Sequence, residues 1–266
     1  MPDLEWETVE LQVQERVAWI TLNRPDSMNA WTPQLGRDLL AVLDYVATDR
    51  EVRAIVLTGA GRGFSSGADL KAGVWAAEDG KIDLGTPLRE LFHPVILRLR
   101  RLEKPVIGAV NGAAVGIGCS LALAADIVVA AESAYFLLAF ANVGLTLDGG
   151  GSALLVGRIG HARASEMGLL AERIGAEQAL AWGLANRVVP DDELGAVAGE
   201  LAARFAAGPP GSYASTKRSL NAAAYPNLAE ILDFEATLQQ ERAESGDFLE
   251  GVRAFLEKRP AQFTGD

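Results

Sequence analysis

Apolar and polar residues alternate through ETVELQVQERVAWITL, residues 7–22, with a short break at Gln14–Arg16. A period of two over that length predicts a β-hairpin. NRPDSMNAW follows as a loop, with Pro25 and Asp26 as turn residues. The period then lengthens. Leu35, Leu39, Leu40, Leu43 and Val46 share one helical face, with Thr32 placed to cap the helix and Pro33 at its first position. VRAIVLTGAG reads as a buried strand, RGFSSGADLK as a loop leading towards a helix, and the polar residues 74–86 as a mobile loop. LRELFHPVILRLRRL has the pattern of an amphipathic helix. KPVIGAVNGAAVGIGCSLALAAD reads as strand, glycine-rich turn and helix, and IVVAAES and AYFLLA as short strands. GGGSALLVGRIG begins another helix, and residues 160–189 predict two more around a turn. After Pro190 the pattern is helical throughout, broken at AAGPPGSY. Strands mixed with helices, then helices alone, predict an α/β core over 1–190 and a helical region over 191–266.

Composition narrows the class. Of 266 residues, 49% are hydrophobic and 22% charged, the balance of a globular domain with a sizeable core. MPDLEWETVE lacks the basic and apolar regions of a signal peptide. The most apolar stretches are interrupted by Asn111, Asp126, Asn142, Asp148 and many glycines, which reads as buried core and not as a membrane span. A single cysteine, Cys119, rules out an intrachain disulfide and fits a reducing cytoplasm. A net charge of −11 argues against a nucleic-acid surface, yet leaves room for an anionic small ligand held by local Lys and Arg.

Several short motifs carry little. GFSSG, residues 63–67, matches the G-x-S-x-G turn of serine hydrolases, but His161 and the later acids fall into no matching pattern. GAGRG misplaces the third glycine of a dinucleotide loop. His93 and His161 lack metal-ligand spacing, so no metal site is expected, and Cys119 sits in an apolar run where a cysteine packs. One residue does raise a chemical question. Asp148 is the only charged residue between Glu132 and Arg158, and three glycines follow it. A carboxylate in such company is costly to bury unless it is paired. Capping a helix that starts at the glycines is the plain explanation.

FSSGADLK and NGAAVGIGCSLALAADIVVAAESAYF resemble the two signature regions of the crotonase (enoyl-CoA hydratase/isomerase) superfamily. VAWITLNRPDSMNAW, KPVIGAVNG, STKRSLN and FLEKRPAQFTG fit as well, so the resemblance spans essentially the whole chain. It implies an α/β spiral of β-β-α turns with a C-terminal helical region that builds homotrimers, often paired into hexamers. It implies an acyl-CoA ligand, with coenzyme A entering as part of the substrate and no metal or redox cofactor. The thioester oxygen would sit between the backbone N–H groups of Ala68 and Ile117. Each such donor is worth roughly 3–4 kcal/mol of barrier when an enolate forms. The second position is usually Gly in the family, so the Ile117 side chain must point away from the thioester. For CoA the resemblance points to the Asp26–Ala30 loop, above all Met28, and to Ser66, Ala68, Asp69 and Leu70. Lys71, Arg24 and Lys258 are candidates for phosphate.

The chain departs from the hydratases of that family. Their two catalytic glutamates fall on Ser120 and Phe140, and neither can act as a general base. Phe140 is expected to line an acyl pocket and Ser120 to pack, with a possible role in anchoring water. VGLTLDGGGS resembles instead the ring-epoxide isomerase branch and related enoyl-CoA isomerases, which gives Asp148 a role as a proton shuttle. The expected activity is isomerisation of an unsaturated acyl-CoA. Hydration, thioester hydrolysis and acyl-CoA binding without catalysis stand as alternatives. Glu90 or Asp83 is a candidate second carboxylate.

Overall fold

Three apolar runs, Ala54–Gly59, Val106–Val110 and Ile127–Ala131, become parallel strands that are almost wholly buried. Strands covered on both faces read as unbroken apolar runs because neither side meets water. The computed structural model describes residues 6–70 and 82–266. In chain order the strands are β1 (Val9–Gln14), β2 (Val17–Leu22), β3 (Ala54–Gly59), β4 (Gly63–Ser65), β5 (Val106–Val110), β6 (Ala113–Val115), β7 (Ile127–Ala131), β8 (Tyr135–Leu137), β9 (Ile174–Gly175) and β10 (Arg187–Val189). The helices are α1 (Pro33–Thr48), α2 (Gly85–Pro87), α3 (His93–Arg101), α4 (Ile117–Leu123), α5 (Gly151–Leu170), α6 (Ala176–Trp182), α7 (Leu194–Ala207), α8 (Pro210–Ala224), α9 (Leu228–Ala243) and α10 (Gly246–Glu257). A π-helical segment, Leu88–Phe92, joins α2 to α3.

The strands form two sheets. One runs β1-β2-β3-β5-β7-β10 and is parallel except for the β1–β2 hairpin. The other runs β4-β6-β8-β9, with β4, β6 and β8 parallel. From β3 to β8, successive strands alternate between the sheets. The chain therefore makes three similar turns: β3, β4 and the α2–α3 segment; β5, β6 and α4; β7, β8 and α5. This is the spiral of β-β-α turns expected from the resemblance.

Local chemistry accounts for most of the elements. Glu15 and Arg16 turn the first hairpin with positive φ. Thr32 Oγ1 accepts from the Leu35 N–H at 3.2 Å and caps α1, with Pro33 opening the helix. On α1, Val42 takes the buried place expected for Leu40, which is only partly covered. Three expectations need correction. Gly63–Ser65, read as loop, is strand β4. Residues 160–189 are not helix alone: Ile174–Gly175 and Arg187–Val189 are short edge strands, and strands of two or three residues leave no periodicity to read. Of the expected loop 74–86, residues 74–81 lie outside the described residues, and Gly85 already begins α2. Of the helices after residue 190, α7 and α9 share the main core, while Phe248 of α10 packs in a second cluster. Leu194, Ala198, Leu201, Ala202 and Ala206 of α7 join the cluster that holds β3, β5 and β7. Among the described residues no helix is long and apolar enough to cross a membrane.

Candidate active site

The parallel strands β4, β6 and β8 end side by side, so the segments that follow them converge. Ser66, Gly67, Ala68 and Leu70 follow β4, Gly116 and Ile117 follow β6, and Ala139 and Phe140 follow β8. All of these line one cavity of about 580 Å³. Further parts of its wall come from Met28, from Leu88 and Phe92 of the π segment, from Asn142, Val143, Leu145 and Asp148, and from Gln239, Phe248 and Phe255 of α9 and α10. The wall is mostly apolar, as small-molecule sites are.

Ala68 and Ile117 both line this cavity. Gly67 has φ +87°, and a Cβ there would lie 2.8 Å from the Val115 carbonyl oxygen. Only glycine allows that approach at that φ. It brings the Ala68 strand end against the start of α4, where Ile117 is the first helical residue. Trp31 N–H donates to the Gly67 carbonyl and Asp69 N–H to that of Trp31, which pins the backbone on both sides of Ala68. Among the described residues no backbone acceptor takes the N–H of Ala68 or Ile117. The Ile117 side chain turns to Gly149, where a Cβ would be 2.2 Å from its Cδ1.

Asp148 lies on the same wall and is 8% exposed. Its Oδ2 accepts from Gln239 Nε2 at 2.9 Å. Its Oδ1 has no hydrogen-bond partner among the described residues. Burial pushes the carboxyl up to about 8, against the pull of the Gln239 bond, and the nearby Glu235 adds to the rise. The Asp148 side chain does not cap α5. That helix has Gly150 at its N-cap; Gly151 N–H donates to the Asp148 backbone carbonyl at 2.9 Å, and the N–H groups on either side go to Glu235 of α9: Gly150 N at 2.7 Å from Oε2 and Ser152 N at 3.0 Å from Oε1. Glu235 also receives the Ser152 hydroxyl. Burial raises the Glu235 carboxyl to about 6, opposed by these bonds. Two N–H groups of the helix N-terminus are thus satisfied by a remote acid, and the Asp148 carboxyl takes no part in capping.

Met28, Ser66, Ala68, Leu70, Ile117, Phe140 and Asp148 therefore meet in one place. Phe140 stands over Gly116. Arg24 and Asp69 form an ion pair at 3.2 Å, and Arg24 also binds the Ala30 carbonyl, so both shape the Met28 loop from outside the cavity wall. Lys71 lies outside the described residues. Lys258 ends α10 in the left-handed conformation, and its neighbour Arg259 reaches the cavity instead, held by Glu250 through Nη1–Oε1 at 2.5 Å and Nη2–Oε2 at 2.9 Å. Ser120 Oγ donates to the Asp148 carbonyl at 2.8 Å, so it fixes the loop. Neither Glu90 nor Asp83 lines the cavity, and the second acid near Asp148 is Glu235.

The weaker motifs dissolve. Ser65 is fully buried and its hydroxyl donates to the Asn29 carbonyl, while Ser66 Oγ binds the Ser27 carbonyl. Burial lifts the Cys119 thiol to about 12 and lowers His93 to about 4. Among the described residues no cluster of His, Cys, Asp and Glu could hold a metal ion.

Sequence reasoning did not single out Gln239 and Glu235. A signal was present. Leu228, Leu232, Ala236 and Ala243 form the buried stripe of α9, and Glu235 and Gln239 stand on that stripe as polar residues. Buried polar positions on an apolar stripe need partners, and here the partners are the Asp148 segment.

The site can be set beside known proteins. Residues 12–266 match the enoyl-CoA hydratase/isomerase family. A protein of Rhodobacter capsulatus named "Probable enoyl-CoA hydratase" is 45% identical over 98% of this chain and 100% of its own. The 1,2-epoxyphenylacetyl-CoA isomerase of Escherichia coli is 42% identical over 95% of this chain and 97% of its own. The crystal structure of an enoyl-CoA hydratase from Mycobacterium avium subsp. paratuberculosis superposes with a TM-score of 0.88 at 38% identity, covering 98% of this chain and all of that one. A likeness of that depth from end to end leaves one conclusion: this chain belongs to the enoyl-CoA hydratase/isomerase family, the crotonase superfamily.

Proposed function

We propose that the protein isomerises an unsaturated acyl-CoA through a thioester enolate, with Asp148 carrying the proton. The observation behind this reading is the state of that carboxylate: one oxygen is held by Gln239 and the other has no partner, on the wall of an apolar cavity. With a 3-enoyl thioester, Oδ1 of Asp148 takes a proton from C2. The electron pair delocalises over the diene and the thioester oxygen, which the Ala68 and Ile117 N–H groups receive. The protonated Asp148 then returns the proton to C4, and the double bond ends between C2 and C3. One proton leaves and one returns, so one carboxylate suffices. A base near pH 8 is well matched to a weak carbon acid at neutral pH.

The acyl group in this reading is uncharged. Phe92, Phe140 and Phe248 make the wall apolar, Asp148 would repel a terminal carboxylate, and Arg259 is held by Glu250. Aromatic or medium-length chains fit this lining. Hydration is a second reading because relatives carry that name. The hydroxyl of Ser120 is committed to a backbone carbonyl and Phe140 is apolar, which leaves Asp148 alone to activate water.

The test is deuterium exchange from solvent into a 3-enoyl-CoA, read by mass spectrometry and NMR, with Asp148→Asn alongside. The expected result is a shifted double bond, label at C2 and C4 in proportion to how far the protonated Asp148 exchanges with solvent before it returns the proton, and a loss of turnover of about 100-fold or more in the variant. A 3-hydroxyacyl-CoA product would mean hydration. Tight binding without exchange in both proteins would mean a non-catalytic acyl-CoA binder.

A further inference from the structure

We infer that Gln239 is a positioning residue for Asp148: its amide grips the Asp148 segment at two points, donates to Oδ2, and leaves the buried Oδ1 as the one carboxyl oxygen without a partner. The inference rests on the reading of Asp148 given above, and its test is independent of turnover.

The argument begins with the amide itself. Gln239 is 1% exposed on α9. A buried amide is costly unless its polar atoms are paired. Its Oε1 accepts from the Thr146 N–H at 3.3 Å. Its Nε2 donates to Asp148 Oδ2 at 2.9 Å. The first bond fixes the second. Thr146 presents a donor, so the amide oxygen must face it, and the amide nitrogen must then face Asp148. An amide oriented by a backbone N–H can only donate to the carboxyl, and donation favours the ionised form. Gln239 therefore does two separable things. It ties down the loop at Thr146, and it supports negative charge on Asp148 while restricting it to one unpartnered oxygen.

The surroundings leave that second task to Gln239. One turn earlier on α9, Glu235 holds Gly150 and Ser152 and opposes ionisation of Asp148 by its own charge. Towards the segment, α4 presents Ile117 and the Ser120 hydroxyl, α5 presents Ser152, and α10 presents Phe248 to the shared cavity. The remaining ionisable side chains on that cavity wall are Tyr135, stacked under Arg173, and Arg259, held by Glu250. Among the described residues, Gln239 is the side chain that donates to this carboxylate.

Two variants separate the tasks. Gln239→Glu keeps an oxygen for the Thr146 N–H but replaces the donor with an acceptor. Gln239→Met removes both contacts at similar volume. The measurement is a pH titration by NMR of protein carrying 13C at the aspartate carboxyl carbon, with the Asp148 signal assigned by its absence in Asp148→Asn. The expected result is a midpoint about one pH unit or more higher in Gln239→Glu than in the native protein, the size that one hydrogen bond to a charged group implies. The midpoint of kcat/KM should move with it, so that activity at pH 7 falls about tenfold and recovers at higher pH. Affinity for a saturated acyl-CoA should stay within about threefold. An Asp148 midpoint unmoved in Gln239→Glu, with or without lost activity, would make Gln239 a loop clamp only and overturn the inference. Should Gln239→Glu fold poorly, Gln239→Met is expected to show the same upward midpoint, and an unmoved one there counts equally against it. If Asp148→Asn still isomerises substrate, the proposed function fails, while the carboxyl titration still decides the role of Gln239.

Discussion

Two aspartates interrupt the apolar middle of this chain, and their surroundings differ in kind. Asp126 follows the C-terminal end of α4. Its carboxylate meets Arg100 Nη1 at 3.1 Å, Lys217 Nζ at 2.7 Å and the Val106 N–H at 2.9 Å. Arg100 and Arg158 also bind the carbonyls of Leu123, Ala124 and Ala125. Asp148 lies beyond the other end of α4 and has a single side-chain donor. Both residues are acids in apolar company, Asp126 partly exposed and Asp148 buried, so the less covered of the two has the more partners. Partner count tells them apart. A fully partnered acid is locked into the fold, and a half-partnered one beside a cavity is a candidate for function.

The contrast can be broken at its strongest point first. Asp148→Asn should lower isomerase turnover by about 100-fold or more and raise stability at alkaline pH. The sign follows from linkage. The Asp148 carboxyl titrates near 8 in the fold and near 3.9 in the unfolded chain, so the fold holds the extra proton between those values. Native stability therefore falls as pH rises through that window, and urea unfolding of the Asn variant should show a flatter profile. For the same reason native kcat/KM should climb with pH towards a plateau above about 8. Asp126→Asn should do the opposite. It leaves Lys217 and Arg100 without their carboxylate and should cost about 3 kcal/mol in urea unfolding, while turnover per folded molecule stays near native. If both substitutions cost stability and spare activity, the two acids are alike and the comparison fails.

Smaller effects sharpen it. Phe140→Ala should shift preference towards bulkier or longer acyl groups by about tenfold in kcat/KM, measured across a series of thioesters. An unchanged preference would place the acyl chain elsewhere. Ser120→Ala removes the hydroxyl that holds the Asp148 carbonyl, and should cost about 1 kcal/mol and only a few-fold in rate.

The spiral and much of its interior were legible because parallel strands and amphipathic helices leave long periodic traces, as at residues 35–46 and 106–131. The signature segments and VGLTLDGGGS pointed to Ala68, Ile117 and Asp148 as parts of one site, and all three line the same cavity. The electrostatic setting of Asp148 was not legible. It depends on Gln239 and Glu235, which lie 91 and 83–85 residues from their partners, and no local pattern spans that distance. The capping explanation for Asp148 was reasonable from chain order. It fails because Glu235 reaches the same helix end from α9. Edge strands such as Arg187–Val189 escaped notice because three residues carry too little pattern to distinguish them from a turn.

The long reach of α9 has a consequence for how the molecule comes into being. Closing chain segments this far apart is slow compared with forming local turns. All three turns of the spiral are synthesised before α9, which alone brings Gln239 and Glu235 to the Asp148 loop. Until α9 docks, Asp148 lacks its Gln239 donor, and the Gly150 and Ser152 N–H groups lack Glu235. The setting of Asp148 is therefore completed late, at the closing stage of assembly.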